Sequence, residues 1–280
     1  MSQFSDFLRR HALIAGIVLM FLFTWPIDLA HSGVLPFQVP FAVYILLGWG
    51  FILAAVIMTG LTLGRGAVIA LLKRYLLWRV GWKWYLVALL LFPVTIFFAV
   101  FLNAVLTRTT LDFSQVFAYQ IFGPSANLPL LFIPFLLFDA VANGEEIGWR
   151  GYVLPRLQVK NSALLSSLIV GVVWGFWHLP KFLAPGNTSS FALFMVKCIP
   201  DAIIYTWLYN NTRGSLLLVT LLHAAGNAAG VFLPVANTVS GGNQTALIIQ
   251  IALEILIAVV VVVQAGAEQL SRTEEKQILT

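Results

Sequence analysis

Two glutamates stand side by side in Asn143-Gly-Glu-Glu-Ile-Gly-Trp-Arg-Gly151, in a chain where charged residues make up only 10%. A carboxylate can take a proton from water when its neighbours fix its geometry and ionisation. Adjacent helical positions point about 100° apart, so Glu145 and Glu146 must face different partners. Glu146 lies four residues before Arg150 with the acid N-terminal, the better order for a helical ion pair, which leaves Glu145 free to act. Gly144, Gly148 and Gly151 clear one helix face for another helix or a substrate backbone.

Two histidines complete the set. His178 closes Trp174-Gly-Phe-Trp-His178, where it shares a helix face with Trp174. His223 and Asn227, in Leu222-His-Ala-Ala-Gly-Asn227, are also four apart and face one way. Together these residues supply what amide hydrolysis needs. Glu145 could deprotonate water with His178 sharing the proton, and His223 and Asn227 could donate to the oxygen that becomes negative. One glutamate and two histidines could equally hold Zn²⁺, the possible metal set being Glu145, His178 and His223, although no His-Glu-x-x-His motif supports it. Each cluster also has a structural reading: an interfacial salt bridge, a hydrogen-bonded histidine at a helix end, and a polar clamp worth about 0.6 kcal/mol between helices.

The elements that must position these groups are transmembrane helices. Hydrophobic residues make up 60% of the 280 and mean hydropathy is +0.93, a balance that a water-facing surface of this length cannot carry. The apolar residues come in blocks long enough to cross roughly 30 Å of hydrocarbon. About eight spans are expected, at 12–30, 41–63, 84–106, 128–147, 163–184, 191–210, 215–233 and 246–264. The absence of period-2 alternation excludes a lipid-facing barrel. The first block follows Arg9 and Arg10 like a signal peptide, but Asp28-Leu29-Ala30 is a poor cleavage site, so it reads as a retained anchor.

Basic residues cluster in loops on one side of an eight-span arrangement: Arg9 and Arg10, Arg65 to Lys83, Arg156 and Lys160, Arg213, Arg272 and Lys276. Only Arg108 and Lys181 fall on the other. Such loops stay cytoplasmic, which places both termini there, in a multi-pass protein of the cell membrane. The same loops account for the net charge of +5, so anionic lipid is the expected partner and nucleic acid is not. The residues from Arg65 to Lys83 have helical apolar spacing and read as a helix lying in the interface. The single cysteine, Cys198, excludes an intramolecular disulfide and a cysteine metal cluster. Elsewhere within the spans, Lys197 and Asp201 form a structural ion pair, Asp139 could border the site's cavity, and Asp28 and Glu254 have no evident partner. One membrane domain is expected over 1–280, with a short polar cytosolic tail from about 265.

Glu145-Glu146-x-x-x-Arg150, Trp174-x-x-x-His178 and His223-x-x-x-Asn227, in this order on separate spans, resemble the motifs of the CAAX protease and bacteriocin-processing enzymes, the CPBP or Abi intramembrane proteases. The stretch from Arg74 to Tyr85 resembles a segment many bacterial members carry, and the likeness covers roughly residues 65–235. The resemblance implies eight helices around a cavity open to the cytoplasmic side, and cleavage of a peptide or membrane-protein substrate near the membrane. It assigns water activation to Glu145 with His178, the oxyanion to His223 and Asn227, and support to Glu146 and Arg150. Eukaryotic members trim prenylated CAAX peptides, whereas many bacterial ones act elsewhere. The competing readings are a non-catalytic membrane immunity or scaffold protein with a structural polar core, and, less well supported for want of an inverted repeat, a transporter.

Overall fold

A computed structural model describes residues 3–114, 116–235 and 244–271. Among them the regular structure is helical, with no strand. The site depends on α1 (Ala12–His31), α2 (Trp49–Leu63), α3 (Arg65–Lys73), α4 (Trp82–Thr107), α5 (Leu128–Ala142), α6 (Ala163–Trp177), α7 (Phe191–Asn211), α8 (Leu216–Phe232) and α9 (Thr245–Ala265). Several starts are legible in the sequence because a polar side chain accepts from a first-turn amide that has no helical partner. Ser162, Ser190 and Ser215 cap α6, α7 and α8 through the amides of Leu165, Leu193 and Leu218, and Asn127 caps α5 through Leu130.

The eight apolar segments recur in the expected order, but the count of eight crossings does not carry over unchanged. Four helices, α1, α4, α7 and α9, are long and apolar enough to cross a bilayer. A fifth candidate is a bent pair, α5 followed by Ile147–Gln158, which are long and apolar enough together, with 44° between the halves. The remaining three, α2, α6 and α8, have 15, 15 and 17 residues. At 1.5 Å per residue they rise roughly 22 to 26 Å, short of the hydrocarbon thickness. Two expected spans are shorter because the chain breaks. Residues 41–48 form a short helix and a tighter turn before α2, and α6 stops at Trp177, where Pro180, in the single helical turn Leu179–Phe182 that follows, has no N–H to continue the ladder.

The interfacial helix also ends early. α3 and one tighter turn at Arg74–Leu76 fit the expectation, but residues 77–81 leave the helix before α4 begins at Trp82. Arg74 hydrogen-bonds the Tyr209 hydroxyl, and Ser215 Oγ donates to the Leu77 carbonyl at 2.8 Å, tying this segment to the end of α7 and the start of α8. The polar tail does not all leave the protein. The carbonyls of Ala267 and Glu268 accept from the Leu164 and Ala163 amides at 3.0 and 2.8 Å, and those of Gln269 and Leu270 accept from the Asn210 and Asn211 side chains at 2.7 and 2.9 Å. Arg272 and Lys276 lie outside the described residues.

Helix α8 packs against α4, α5 and α7, and α6 packs along α7. One close approach is between backbones: a methyl group on Gly144 would lie 2.3 Å from the Gly48 carbonyl oxygen. Gly148 faces Phe51 of α2 in the same way. The glycine face of the glutamate motif is therefore spent on a neighbouring helix and not on a substrate.

Candidate active site

The break after α5 builds the site. Asn143 and Gly144 leave the helix, Asn143 Oδ1 accepts from the Glu145 amide at 3.0 Å, and the chain re-enters helix through Glu145 and Glu146. Residues Ile147–Val153 then form a π-helical turn in which every residue is buried. Such turns are wider than an α-turn and occur often at functional sites. The α-helical geometry expected for the nine-residue motif is therefore modified, although the Glu146–Arg150 pairing survives.

Glu146 and Arg150 are both fully buried, with Oε1 and Nη1 3.1 Å apart. The guanidinium lies over the rings of Tyr205, 4.2 Å to the centroid, and Trp174, 4.8 Å. Glu146 has a second partner that sequence spacing does not reveal: His223 Nδ1 sits 2.8 Å from the same Oε1. Glu146 thus joins α8 to the motif, and a carboxylate between two cationic or donor groups holds both in place.

Glu145 is not left without a partner. Trp174 Nε1 donates to its Oε2 at 2.7 Å. Trp174 also sets both imidazoles, its ring centroid standing 5.8 Å from that of His178 and 5.8 Å from that of His223, edge-on in each case. His178 is the residue at which α6 stops, and its Nδ1 lies 2.9 Å from the Trp174 carbonyl oxygen. A carbonyl can only accept, so Nδ1 carries the proton and the Nε2 of the neutral ring is a bare lone pair able to take a proton from water. The same reasoning applies to His223, whose Nδ1 faces a carboxylate. Its Nε2 can donate to an oxyanion only when the ring is doubly protonated.

Asn227 is exposed in the cavity, and its Nδ2 lies 3.3 and 3.1 Å from the two oxygens of Asp139 on α5. Asp139 is the residue that spacing brought nearest without assigning it a role. Its partner could not be found from sequence because it lies on another helix, 88 residues away.

His178, His223, Asn227, Asp139 and Trp174 line one cavity of about 660 Å³. Glu145 is nearly buried and is not among the lining residues, but its indole partner is. Lys197 and Asp201 line the same cavity and form the expected ion pair at 2.5 Å. Glu254, left without a partner in the sequence reading, accepts from Gln250 at 2.8 Å and lies 3.5 Å from Lys197. Asp28 is fully buried with neither oxygen hydrogen-bonded.

The candidate Zn²⁺ ligands Glu145, His178 and His223 are not gathered into one cluster. Among the described residues, no three His, Cys, Asp or Glu side chains are grouped to hold a metal ion. Glu145 Oε2 accepts from Trp174, and Nδ1 of each histidine is engaged within the protein, so Nε2 is the ring nitrogen that each turns away from these partners.

Residues 125–229 match the family model for type II CAAX prenyl endopeptidases of the Rce1-like group. All three motifs fall inside that stretch. A similar curated protein is CAAX prenyl protease 2 of Methanococcus maripaludis, 28% identical over 149 residues, an alignment that takes in 49% of this chain and 52% of the relative. The chain thus spans about half the length of that relative.

Proposed function

We propose that this chain, which carries the likeness to the CAAX proteases over residues 125–229, is an intramembrane endopeptidase that hydrolyses a peptide bond by glutamate-activated water. The observation that carries the reading is Trp174, which holds Glu145 Oε2 by its indole N–H and stands edge-on to both imidazoles. In the first step a water oxygen attacks the scissile carbonyl carbon while Glu145, sharing the task with His178 Nε2, takes the proton. His223 as imidazolium and Asn227 then donate to the oxyanion, each donor contributing about 10² to 10³ in rate. Collapse reforms the carbonyl and breaks the C–N bond, and the proton returns to the leaving amine. Glu146 and Arg150 orient the site, Glu146 through its contact with His223 Nδ1.

Asn227 engages both Asp139 oxygens through Nδ2 and has a second N–H for the substrate. That engagement favours the second reading, a polar core that only holds the helices together.

Reconstituted protein and a library of membrane-tethered peptides separate the two. Glu145→Ala and His178→Ala should insert and fold yet give no products. A Glu145→Gln variant that retains the native biological effect would establish the non-catalytic reading, and products lost with chelator alone would return the mechanism to a metal.

A further inference from the structure

The sequence reading, following the resemblance, opens the cavity toward the cytoplasm. The connections that surround its mouth point the other way. Tyr44 lies between α1 and α2, Phe117 between α4 and α5, Lys181 and Ser189 between α6 and α7, and Val235 and Gln244 between α8 and α9; all six line the cavity. These connections are on one end of the bundle, where the His31 and Tyr44 rings stack at 3.6 Å, Trp25 Nε1 donates to the Trp177 carbonyl at 2.8 Å, and Phe122 meets Phe232.

The basic residues sit at the opposite end, and contacts hold that end together as well. Tyr152 Oη donates to the Ala12 carbonyl at 2.6 Å, Arg156 to Tyr152 O at 2.9 Å, Arg213 to Arg79 O at 2.5 Å, and Arg74 reaches Tyr209. Arg9, Arg10, Arg65, Lys73, Arg74, Arg79, Lys83, Arg156, Lys160 and Arg213 belong to this end, against Arg108 and Lys181 at the mouth end. Basic connections of this kind are retained in the cytoplasm during insertion.

We infer that the cavity opens on the extracytoplasmic face, so that the substrate is a membrane-proximal segment of an exported or membrane-anchored polypeptide and not a cytosolic C-terminus. The face follows from the fold and the charge distribution; the cleavage rests on the peptidase reading above. Polypeptide reaching His178, His223 and Asn227 passes Lys181 and the apolar rim, and does not pass the basic loops.

Thr188 is exposed in the mouth connection and Lys160 in a basic one, while the native Cys198 is buried and gives the labelling background. Single Thr188→Cys and Lys160→Cys variants of the full chain are treated in intact cells with a membrane-impermeant maleimide. Thr188→Cys should label, and Lys160→Cys only after permeabilisation. Reversed or equal labelling overturns the inference. In sealed vesicles of known sidedness, Glu145-dependent cleavage should occur only when the tethered peptide is on the Thr188 side. Cleavage confined to the Lys160 side also overturns the inference, yet leaves the peptidase standing. Absence of Glu145-dependent cleavage from both sides ends the peptidase reading, and labelling still decides the face.

Discussion

Replacing Arg150 with methionine keeps most of the side-chain volume and removes the charge, and it should be among the costliest single changes in the chain. Glu146 is fully buried, and Arg150 Nη1 at 3.1 Å is one of its two partners. Removing one member of a buried pair typically costs about 3 to 5 kcal/mol, because the remaining charge is uncompensated. His223 at 2.8 Å still faces the carboxylate, so the lower end, about 3 kcal/mol, is expected. Loss of the guanidinium from the faces of Tyr205 and Trp174 adds on the order of 0.5 to 2 kcal/mol. The double variant Arg150→Met/Glu146→Gln removes both charges, and coupling of about 0.5 to 3 kcal/mol should make it more stable than the sum of the single changes. Denaturant unfolding in mixed micelles, followed by tryptophan fluorescence, measures all three proteins. An Arg150→Met cost below about 1 kcal/mol, or a double variant whose cost is the sum of the singles, would show that the pair does not organise the site.

Three further outcomes are expected. Trp174→Phe keeps the ring and deletes the donor to Glu145; hydrogen bonds to charged groups contribute about 1.5 to 3 kcal/mol, so kcat should fall by roughly 10- to 100-fold with the fold intact by circular dichroism. His223→Ala removes both the partner of Glu146 and the proposed oxyanion donor, so kcat/KM should fall by about 10² to 10³ with the fold intact by circular dichroism. Gly144→Ala should fold poorly, since its methyl group meets the Gly48 backbone, and overpacking costs about 1 to 3 kcal/mol or more; its recovery of native thermal stability would refute the close approach.

The apolar segments were legible because lipid imposes one solution on every spanning residue, and the serine caps marked several helix starts. Glu146 with Arg150 was legible because both partners lie on one helical turn. What could not be read were pairings between helices. Glu146 with His223 is separated by 77 residues and Asp139 with Asn227 by 88, and no local period encodes either. The break at Asn143-Gly144 and the π-helical turn were hidden by hydropathy, which sees one apolar run where the backbone bends. Trp174 was noticed as a neighbour of His178, but its bond to Glu145 depends on how α6 meets the bend.

The segment after α9 gives the chain an unequal tolerance to trimming. Ala267 and Glu268 lend carbonyls to the first amides of α6, and Gln269 and Leu270 engage the side chains that finish α7. A protein shortened to Ala265 would keep every long apolar helix and yet expose two helix ends whose partners had been cut away. Purification handles are therefore best joined beyond Ser271, and degradation that nibbles inward past that point would loosen the helix that ends in Trp174 and His178.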